Sequence, residues 1–439
     1  MKRMSYIFAV LAILGVWSCS ELDPLTKPTA DTGSLSFARY HAIGNSLTAG
    51  FQSGGLVTAF QKASYPAMIN QAASGGAFEM PLISEPGIPH LFFVRSFVGP
   101  VIDTLAGVGM PTNTTFPGVY NNLGIPGATL NEIRTQGATG ANDMFDVVLR
   151  SPVSAVNQAL SAGPTLTTVW AGNNDILGSA LVGTDLLLTP VASFLADYQA
   201  MMDALAAGSG AVVAANIPDV VSIPFFTTLP PVVVNAERMP VLDSLGAFIP
   251  LIGPSGNLAL TDLVTLGASS FLGQGIGMPP PFGTGAPLPG AVILNGAELT
   301  AIRTRTGEFN AIIDSVCANR GIPVVDFFTI FTNIAANGVM ISGEEYARDF
   351  ITGGLFSLDG IHPTALGYWI VATEFIKVMN ANFGASIPEP KLPKGPLRAA
   401  DPADPSFSPT LLPAQTLTPA HWRATWEALG VRPEDMPRP

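Results

Sequence analysis

Residues 35–47, LSFARYHAIGNSL, are the stretch that decides how this chain is expected to fold. Residues 35–43 are rich in β-forming side chains, which predicts a strand. Gly44 then permits a tight turn, and a helix can begin at about Leu47. This strand-turn-helix pattern places Ser46 just beyond the carboxyl end of the strand, with its hydroxyl accessible and its backbone N–H free to donate.

Four more short β-rich runs, each bounded by Gly, Pro or Asn, predict further strands. They are residues 119–123, 166–171, 211–217 and 322–327. Helical patterns lie between and after them, at residues 191–205, 302–317 and 364–383. Strands separated by helices imply right-handed crossovers, so the sequence predicts an α/β domain with a five-stranded parallel sheet covered on both faces.

Three further polar motifs lie near the ends of these predicted elements. They are residues 122–129 (NLGIPGAT), 172–175 (GNND) and 359–363 (DGIHP). The first two follow strands, and the third precedes the last major helix. Because sites in parallel sheets form at the carboxyl ends of the strands, we expect all three motifs to share one crevice with Ser46.

The residue types in these motifs are those of serine-based acyl transfer. Pro363 disfavours helical geometry at His362, which keeps the imidazole in an extended segment. Asp359 can accept a hydrogen bond from His362 Nδ1, leaving Nε2 to take the proton from Ser46.

An oxyanion would also need donors in the same crevice. The backbone N–H of Ser46 is one candidate. Gly127 could present a second N–H with no side chain in the way of a substrate, and the Asn174 side-chain amide could supply a third.

This order of Ser, Gly, Asn and Asp-x-x-His resembles the GDSL (SGNH) hydrolase family of esterases, lipases, thioesterases and carbohydrate acetylesterases. The motifs span residues 40–367. The resemblance implies a three-layer α/β/α flavodoxin-like fold, a Ser46, Asp359 and His362 triad, and an oxyanion hole from Ser46, Gly127 and Asn174. Asn45 stands where the family usually has Asp, a departure that concerns hydrogen bonding within the turn.

The balance of charges disfavours nucleic acid as a partner. The net charge is −12, with 32 acidic and 20 basic residues, so a phosphate backbone would mostly be repelled. Only 12% of the residues are charged, against about 25% in typical soluble domains. The chain is therefore expected either to bury much of its length or to expose apolar surface near lipid.

Neither a metal nor another cofactor is predicted. His41, His90 and His421 have no Cys or His partner at ligand spacing, and the chain has no P-loop and no Gly-x-Ser-x-Gly elbow. His41, within the first strand, is expected to be a satisfied core or sheet-edge residue. Cys317 lies on the apolar side of a helix and is expected to be a small core residue.

The N-terminus has the pattern of a bacterial export signal. Lys2 and Arg3 precede an apolar stretch, residues 6–16, that is too short to span a bilayer. Residues 16–19 (VWSC) resemble a lipoprotein cleavage box with Cys19 as the lipidated residue, although an ordinary secretory signal is the alternative. The lipoprotein interpretation predicts membrane attachment through Cys19 at the cell envelope, in the outer membrane or at the periplasmic face.

The domain organisation predicted from these patterns is a signal peptide at 1–19, a linker at 20–34, a hydrolase domain at 35–384 and a tail at 385–439. The tail is proline-rich and expected to be largely disordered. Two irregular insertions, at 75–118 and 218–298, interrupt the domain. The second is rich in Pro, Gly and apolar residues, which predicts a lid or apolar wall over the crevice, a structural elaboration or a partner-binding surface.

Hydrolysis of carboxylic esters is the function that the motifs favour, with an ester substrate that carries an apolar acyl chain if the insertion covers the site. Three alternatives remain at this point. The first is a carbohydrate O-acetylesterase, and the second is acyl transfer to an alcohol. The third is a non-catalytic surface lipoprotein that binds lipid or glycan, for which the proposed site residues would have no reason to converge.

Overall fold

A five-stranded parallel sheet forms the centre of the computed structural model, which describes residues 30–73, 76–96, 101–105, 107–141, 143–393 and 414–416. The strands are β1 (Tyr40–Gly44), β2 (Asn122–Gly124), β3 (Leu166–Trp170), β4 (Val212–Ala215) and β5 (Val324–Val325). Their spatial order, β2-β1-β3-β4-β5, is that of flavodoxin-like folds. The prediction of five parallel strands is therefore confirmed.

Helices cover both faces of the sheet. The principal helices are α1 (Ser46–Ala49), α2 (Tyr65–Ala73), α3 (Leu130–Thr135), α4 (Ala155–Ser161), α5 (Asn174–Leu181), α6 (Val191–Gly208), α7 (Gly296–Ala318), α8 (Phe327–Asn337) and α9 (Ala365–Phe383). Shorter helices lie at Thr58–Lys62, Met144–Leu149, Pro224–Thr227 and Ser269–Leu272. The apolar side chains of α3 to α7 pack on one face, and those of α2, α9 and the start of α8 pack on the other. The fold is a three-layer α/β/α sandwich, as predicted.

The side chains of β1 show why both faces are covered. Because successive residues of a strand point to opposite sides, Tyr40 and Ala42 enter one apolar core while Ile43 enters the other. The strand begins at Tyr40, so the predicted start at residue 35 was wrong. The Leu35 N–H instead donates a hydrogen bond to the carbonyl of Thr32 at 2.9 Å, which forms a turn ahead of the sheet.

Two buried residues of the central layers were singled out from the sequence. Cys317 is fully buried in the core, with its Sγ 3.5 Å from the Tyr198 hydroxyl, as predicted for a small core residue. His41 is buried in β1, but neither ring nitrogen has a hydrogen-bond partner among the described residues. The expectation of a satisfied histidine was therefore wrong, and burial lowers the pKa of His41 to about 4.

Short antiparallel pairs form much of the structure outside the central sheet. They join Gly55–Leu56 to Ile88–Pro89, Phe92–Ser96 to Val101–Leu105, and Val101–Leu105 to Ala414–Thr416. They also join Ile252–Gly253 to Gly256–Asn257, Leu263–Val264 to Ile293–Leu294, and Val339–Ile341 to Glu344–Tyr346. Both predicted insertions thus contain ordered strands.

The insertion at 218–298 has a small apolar core of its own, formed by Val233, Leu251, Val264, Ala268, Leu288, Val292 and Ile293. An outer arm, residues 232–250, extends from this core and is closed by a bridge between Val232 and Pro250. Met239, Leu242, Leu245 and Phe248 of this arm are exposed. The insertion is therefore a folded element with an apolar outer surface.

Residues 385–393 pack against the body of the fold. Ser386 N–H donates to the carbonyl of Asp31 at 2.7 Å, and the Trp369 indole donates to the carbonyl of Pro390 at 2.8 Å. The folded body therefore continues past residue 384, where the predicted domain ended. The signal segment with Cys19, the first part of the linker and most of the tail lie outside the described residues. Among the helices that the structure describes, none is both long and apolar enough to cross a membrane.

Candidate active site

Ser46 is the first residue of α1, immediately after the turn that ends β1. Asn45 caps this helix, because its Oδ1 accepts a hydrogen bond from the Leu47 N–H at 3.1 Å. Its Nδ2 has no partner among the described residues. The Asn that departs from the family pattern thus still performs the local capping of the helix that carries Ser46.

Glycine and asparagine allow α1 to lie very close to the sheet. A Cβ on Gly44 would lie 2.1 Å from Thr48 Oγ1, and one on Gly124 would lie 2.4 Å from the Ala49 nitrogen, so both positions exclude a side chain. Asn122 Nδ2 donates to the Thr48 carbonyl at 2.7 Å. These contacts hold the helix, and with it Ser46, against the ends of β1 and β2.

Ser46, His362 and Asp359 form a continuous chain of hydrogen bonds. The distance from Ser46 Oγ to His362 Nε2 is 2.9 Å, and that from His362 Nδ1 to Asp359 Oδ2 is also 2.9 Å. The three residues are 2%, 1% and 0% exposed, respectively, so the expectation of an accessible Ser46 hydroxyl was wrong. The structure therefore brings these three sequence-predicted residues together, in the arrangement that lets an imidazole take a proton from a hydroxyl.

The carboxylate of Asp359 accepts several hydrogen bonds besides that of the imidazole. Oδ1 accepts from the N–H groups of Ile361 at 2.9 Å and His362 at 2.8 Å, and from Ser357 Oγ at 3.1 Å. Oδ2 also accepts from the Gly54 N–H at 3.0 Å. Burial alone would raise the pKa of Asp359, but the attraction of His362 and the hydrogen bonds from His362 and Ile361 outweigh burial and hold the pKa below its usual value.

A turn far away in sequence binds the segment that carries Asp359. The Ser53 N–H donates to Ser357 Oγ at 2.8 Å, and the Leu358 N–H donates to Ser53 Oγ at 3.3 Å. Gly54 has a φ of 84°, a left-handed conformation that favours glycine. Sequence reasoning missed Ser53, Gly54 and Ser357, and the only available signal was the position of Ser357 two residues before Asp359.

The His362 ring is also held by aromatic packing. The ring of Phe51 lies 4.7 Å from it, centroid to centroid, and the Phe51 carbonyl accepts from the Tyr368 hydroxyl at 2.9 Å. Beyond Pro363, the Thr364 side chain caps α9 by accepting from the Gly367 N–H at 3.2 Å. The imidazole thus lies in a non-helical segment just before α9, as the Pro363 argument predicted.

The predicted oxyanion donors lie at the ends of neighbouring strands. Since β1 lies between β2 and β3, the segments after those two strands, which carry Gly127 and Asn174, flank the one that carries Ser46. Within the described part of the chain, the N–H groups of Ser46 and Gly127 donate to no acceptor. Gly127 has a φ of 82°, which favours glycine there. The Asn174 side chain uses one N–H for the Ala128 carbonyl, at 3.0 Å, which leaves the other to donate.

Asp175 connects the segment after β3 to the loop that contains Gly127. Its Oδ2 accepts from the Leu130 N–H at 2.8 Å, and its Oδ1 accepts from the Thr189 hydroxyl at 2.9 Å. Burial raises the pKa of Asp175 to about 7, against the effect of these two hydrogen bonds. Asn174 and Asp175 therefore both hold the segment that directly follows Gly127, through Ala128 and Leu130, a role that the sequence motif did not reveal.

The 218–298 insertion contacts the loop between Asp359 and His362 directly. The Phe225 N–H donates to the Gly360 carbonyl at 2.9 Å. Gly360 has a φ of 70°, and a Cβ at this position would lie 2.7 Å from Leu266 Cδ1. The insertion therefore packs against the segment that carries the imidazole and its carboxylate.

A mainly apolar cleft is lined in part by the chain neighbours of Ser46 and His362. Its lining residues are Leu47, Trp170, Pro218, Asp219, Ser222, Ile223, Phe331, Ile334, Ala335, Arg348, Phe356, Ile361 and Pro363. Part of this wall belongs to the start of the insertion.

No group of three or more metal-ligating side chains is found among the described residues.

A sequence model of the GDSL-like lipase/acylhydrolase family matches residues 40–375, a range that contains all the residues of the hydrogen-bonded chain and the candidate donors. The chain belongs to this family. A GDSL-like lipase/acylhydrolase is a hydrolase of ester bonds, so the enzyme class predicted from the motifs is confirmed. A comparison with curated proteins gave no significant match.

Three solved structures are similar to this GDSL-like hydrolase at low sequence identity. LAE5, an alpha/beta hydrolase from the metagenome of Lake Arreo, Spain, is 12% identical, with a TM-score of 0.36 over 79% of this chain and 97% of its own. The acetyl xylan esterase AlAXEase is 14% identical, with a TM-score of 0.32 over 77% and 98%. The extracellular lipase of Streptomyces rimosus is 14% identical, with a TM-score of 0.32 over 78% and 98%.

Proposed function

We propose that this GDSL-like hydrolase cleaves carboxylic esters with Ser46 as nucleophile, His362 as general base and acid, and Asp359 as the carboxylate that orients the imidazole. The observation that supports the proposal is the buried chain of two 2.9 Å hydrogen bonds from Ser46 Oγ through the imidazole to Asp359 Oδ2. The carboxylate is ionised at neutral pH, because its pKa is held below the usual value. It therefore accepts a hydrogen bond from Nδ1–H, and this orients the imidazole so that Nε2 can act as the base.

The first half-reaction forms an ester between Ser46 and the acyl group. His362 Nε2 takes the hydroxyl proton as Ser46 Oγ attacks the carbonyl carbon, and the resulting oxyanion is stabilised by the N–H groups of Ser46 and Gly127 and the Asn174 amide. The carbon–oxygen bond to the alcohol then breaks, and His362 gives its proton to the departing oxygen. Asp359 stabilises the imidazolium while it carries that proton.

The second half-reaction releases the acid. His362 Nε2 takes a proton from water, the hydroxide oxygen attacks the acyl carbon, and the same donors stabilise the second oxyanion. When this intermediate collapses, the imidazolium returns a proton to Ser46 Oγ. The enzyme is then regenerated with one alcohol and one carboxylic acid as products.

The Ser46→Ala variant tests this assignment. We expect it to retain the wild-type melting temperature and to lose at least about 1000-fold in kcat on aryl esters, because the nucleophile is removed. Ser161→Ala changes an exposed serine at the end of α4 and is the matched control, with wild-type activity expected. Esterase activity near the wild-type level in Ser46→Ala would exclude the proposed nucleophile.

We further propose that the enzyme is exported and anchored to the bacterial envelope by lipid on Cys19. The charged start, the apolar stretch and residues 16–19 support this proposal. Labelling with a radioactive fatty acid and cell fractionation test it. Wild-type protein should be labelled and found with membranes, whereas Cys19→Ala should be unlabelled. An unlabelled wild-type protein in the soluble fraction would favour an ordinary secretory signal instead.

A further inference from the structure

We propose that the apolar cleft beside Ser46 binds the acyl chain of the substrate, so that the enzyme prefers esters of medium-length apolar acids to acetate esters. The inference rests on the proposed function, because it assigns the acyl-enzyme to Ser46. Beyond that function, the substrate class is esters of medium-length apolar acids, and the apolar cleft is the part of the enzyme that selects them.

The position of the cleft relative to the reacting groups is the first support. Leu47 of its wall directly follows Ser46, and Ile361 and Pro363 of its wall stand on either side of His362. Chain neighbours of both reacting residues therefore line the cleft.

The chemistry of the walls is the second support. Aromatic and aliphatic side chains predominate, and the Trp170 indole N–H is engaged with the Asn216 carbonyl at 2.9 Å. The Ser222 hydroxyl is likewise engaged with the Asp219 carbonyl at 2.7 Å, and Arg348 Nη1 donates to the Ser222 carbonyl at 2.9 Å. Such a surface gains more from methylene groups than from sugar hydroxyls, at about fourfold in affinity for each CH₂ buried.

The order of the chemical steps decides which side of the ester the cleft takes. The alcohol must leave before water can attack the acyl-enzyme, whereas the acyl chain stays attached to Ser46 until the second step. A cleft walled by α1, the segment after β4, α8 and the segments at Phe356 and Arg348 would slow the departure of an alcohol. The cleft therefore suits the acyl chain, which stays attached to Ser46 until the second step.

Two neighbouring alanines of α8 provide a matched pair of variants. Ala335 lines the cleft, and Ala336, the next residue, is exposed. We expect Ala335→Phe in the full-length protein to lower kcat/KM on p-nitrophenyl octanoate at least tenfold while changing that on p-nitrophenyl acetate less than twofold. Ala336→Phe should alter neither value. Ala335→Leu fills less space and should give an intermediate loss, which keeps the test valid if the larger variant does not fold.

A second substrate series varies the alcohol at constant acyl length, from ethyl to octyl acetate. Ala335→Phe should leave this series unchanged. The proposal is overturned if folded Ala335 variants keep the wild-type ratio of octanoate to acetate rates, lose both rates equally, or lose activity only along the alcohol series.

Binding of octanoate, measured by calorimetry, separates this inference from the proposed function. If the wild type hydrolyses no ester, the proposed function fails. Octanoate binding that is weakened by Ala335→Phe and unaffected by Ala336→Phe would still support an apolar binding cleft. If esters are hydrolysed but octanoate binding and acyl preference are the same in both variants, only the cleft assignment fails.

Discussion

The Asp359 carboxylate is hydrogen-bonded both to the backbone N–H of His362 and to the imidazole ring of the same residue. Oδ1 accepts from the His362 backbone N–H at 2.8 Å, and Oδ2 lies 2.9 Å from the ring Nδ1. One carboxylate therefore sets both the conformation of the loop and the orientation of the imidazole. The carboxylate also accepts hydrogen bonds from Ser357 and Ile361, which are close to it in sequence, and from Gly54, which is far from it in sequence.

Replacement of this carboxylate should separate catalysis from stability. Asp359→Asn places an amide where Nδ1–H must donate, which favours the wrong tautomer, so we expect kcat to fall about 10⁴-fold, as in serine proteases with the equivalent change. Asp359→Ala also leaves buried N–H groups without acceptors, each costing about 1–3 kcal/mol. Steady-state kinetics and urea unfolding should show Asp359→Ala to be the less stable variant, and equal stability would contradict the network.

Asn174→Ala should impair the transition state with little effect on substrate binding. Removal of one oxyanion donor typically costs about 100- to 1000-fold in kcat. We therefore expect a fall of that size in kcat, with KM changed by only a few-fold. Asn157→Ala, at an exposed position of α4, is the control and should be as active as the wild type. A rise in KM at constant kcat would instead assign Asn174 to ground-state binding.

Asp175 is expected to act on the rate through the Gly127 loop. Asp175→Ala removes the acceptor for both the Leu130 N–H and the Thr189 hydroxyl, so kcat should fall about tenfold or more as the loop loses its position. Asp175→Asn keeps an oxygen for Leu130, and its NH₂ can donate to the Thr189 hydroxyl. Recovery of most of the activity in Asp175→Asn, with KM unchanged in both variants, would identify a positioning residue. An equal loss of kcat in Asp175→Ala and Asp175→Asn would show that the negative charge of the carboxylate is needed for the rate.

His41 should make the fold sensitive to mild acid. Its pKa is about 4 in the folded state because of burial, against about 6.5 in the unfolded chain. The unfolded state therefore takes up the proton first, and stability is lost as the pH falls from about 6.5 to about 4, by roughly 3 kcal/mol in total. In His41→Leu this contribution is absent, so urea unfolding at pH 7.5 and 4.5 should show a smaller difference than in the wild type. An unchanged pH dependence would show that His41 does not titrate in this way.

The parts of this protein that depend on local sequence could be predicted, and those that depend on distant contacts could not. The five strands and the placement of Ser46 and Asn174 just after two of them follow from β-rich runs and the polar residues beyond them, and the position of His362 just before α9 follows from Pro363. The support that Ser53 and Gly54 give to the Asp359 segment does not follow, because roughly 300 residues separate the two. The same limit applies to His41, whose lack of a partner depends on the layer packed over β1.

The contact between Phe225 and Gly360 has a practical consequence for how the insertion can be studied or shortened. Because the first part of the insertion supports the segment that carries His362, deletion of all of residues 218–298 would disable the nucleophile's base together with any effect on substrate entry. Loss of activity in such a deletion would therefore not distinguish a lid from a scaffold. Trimming should be confined to the part of the outer arm between Val233 and Ile249, because Val233 belongs to the insertion's core and its N–H already joins the two sides by donating to the Ile249 carbonyl at 2.8 Å.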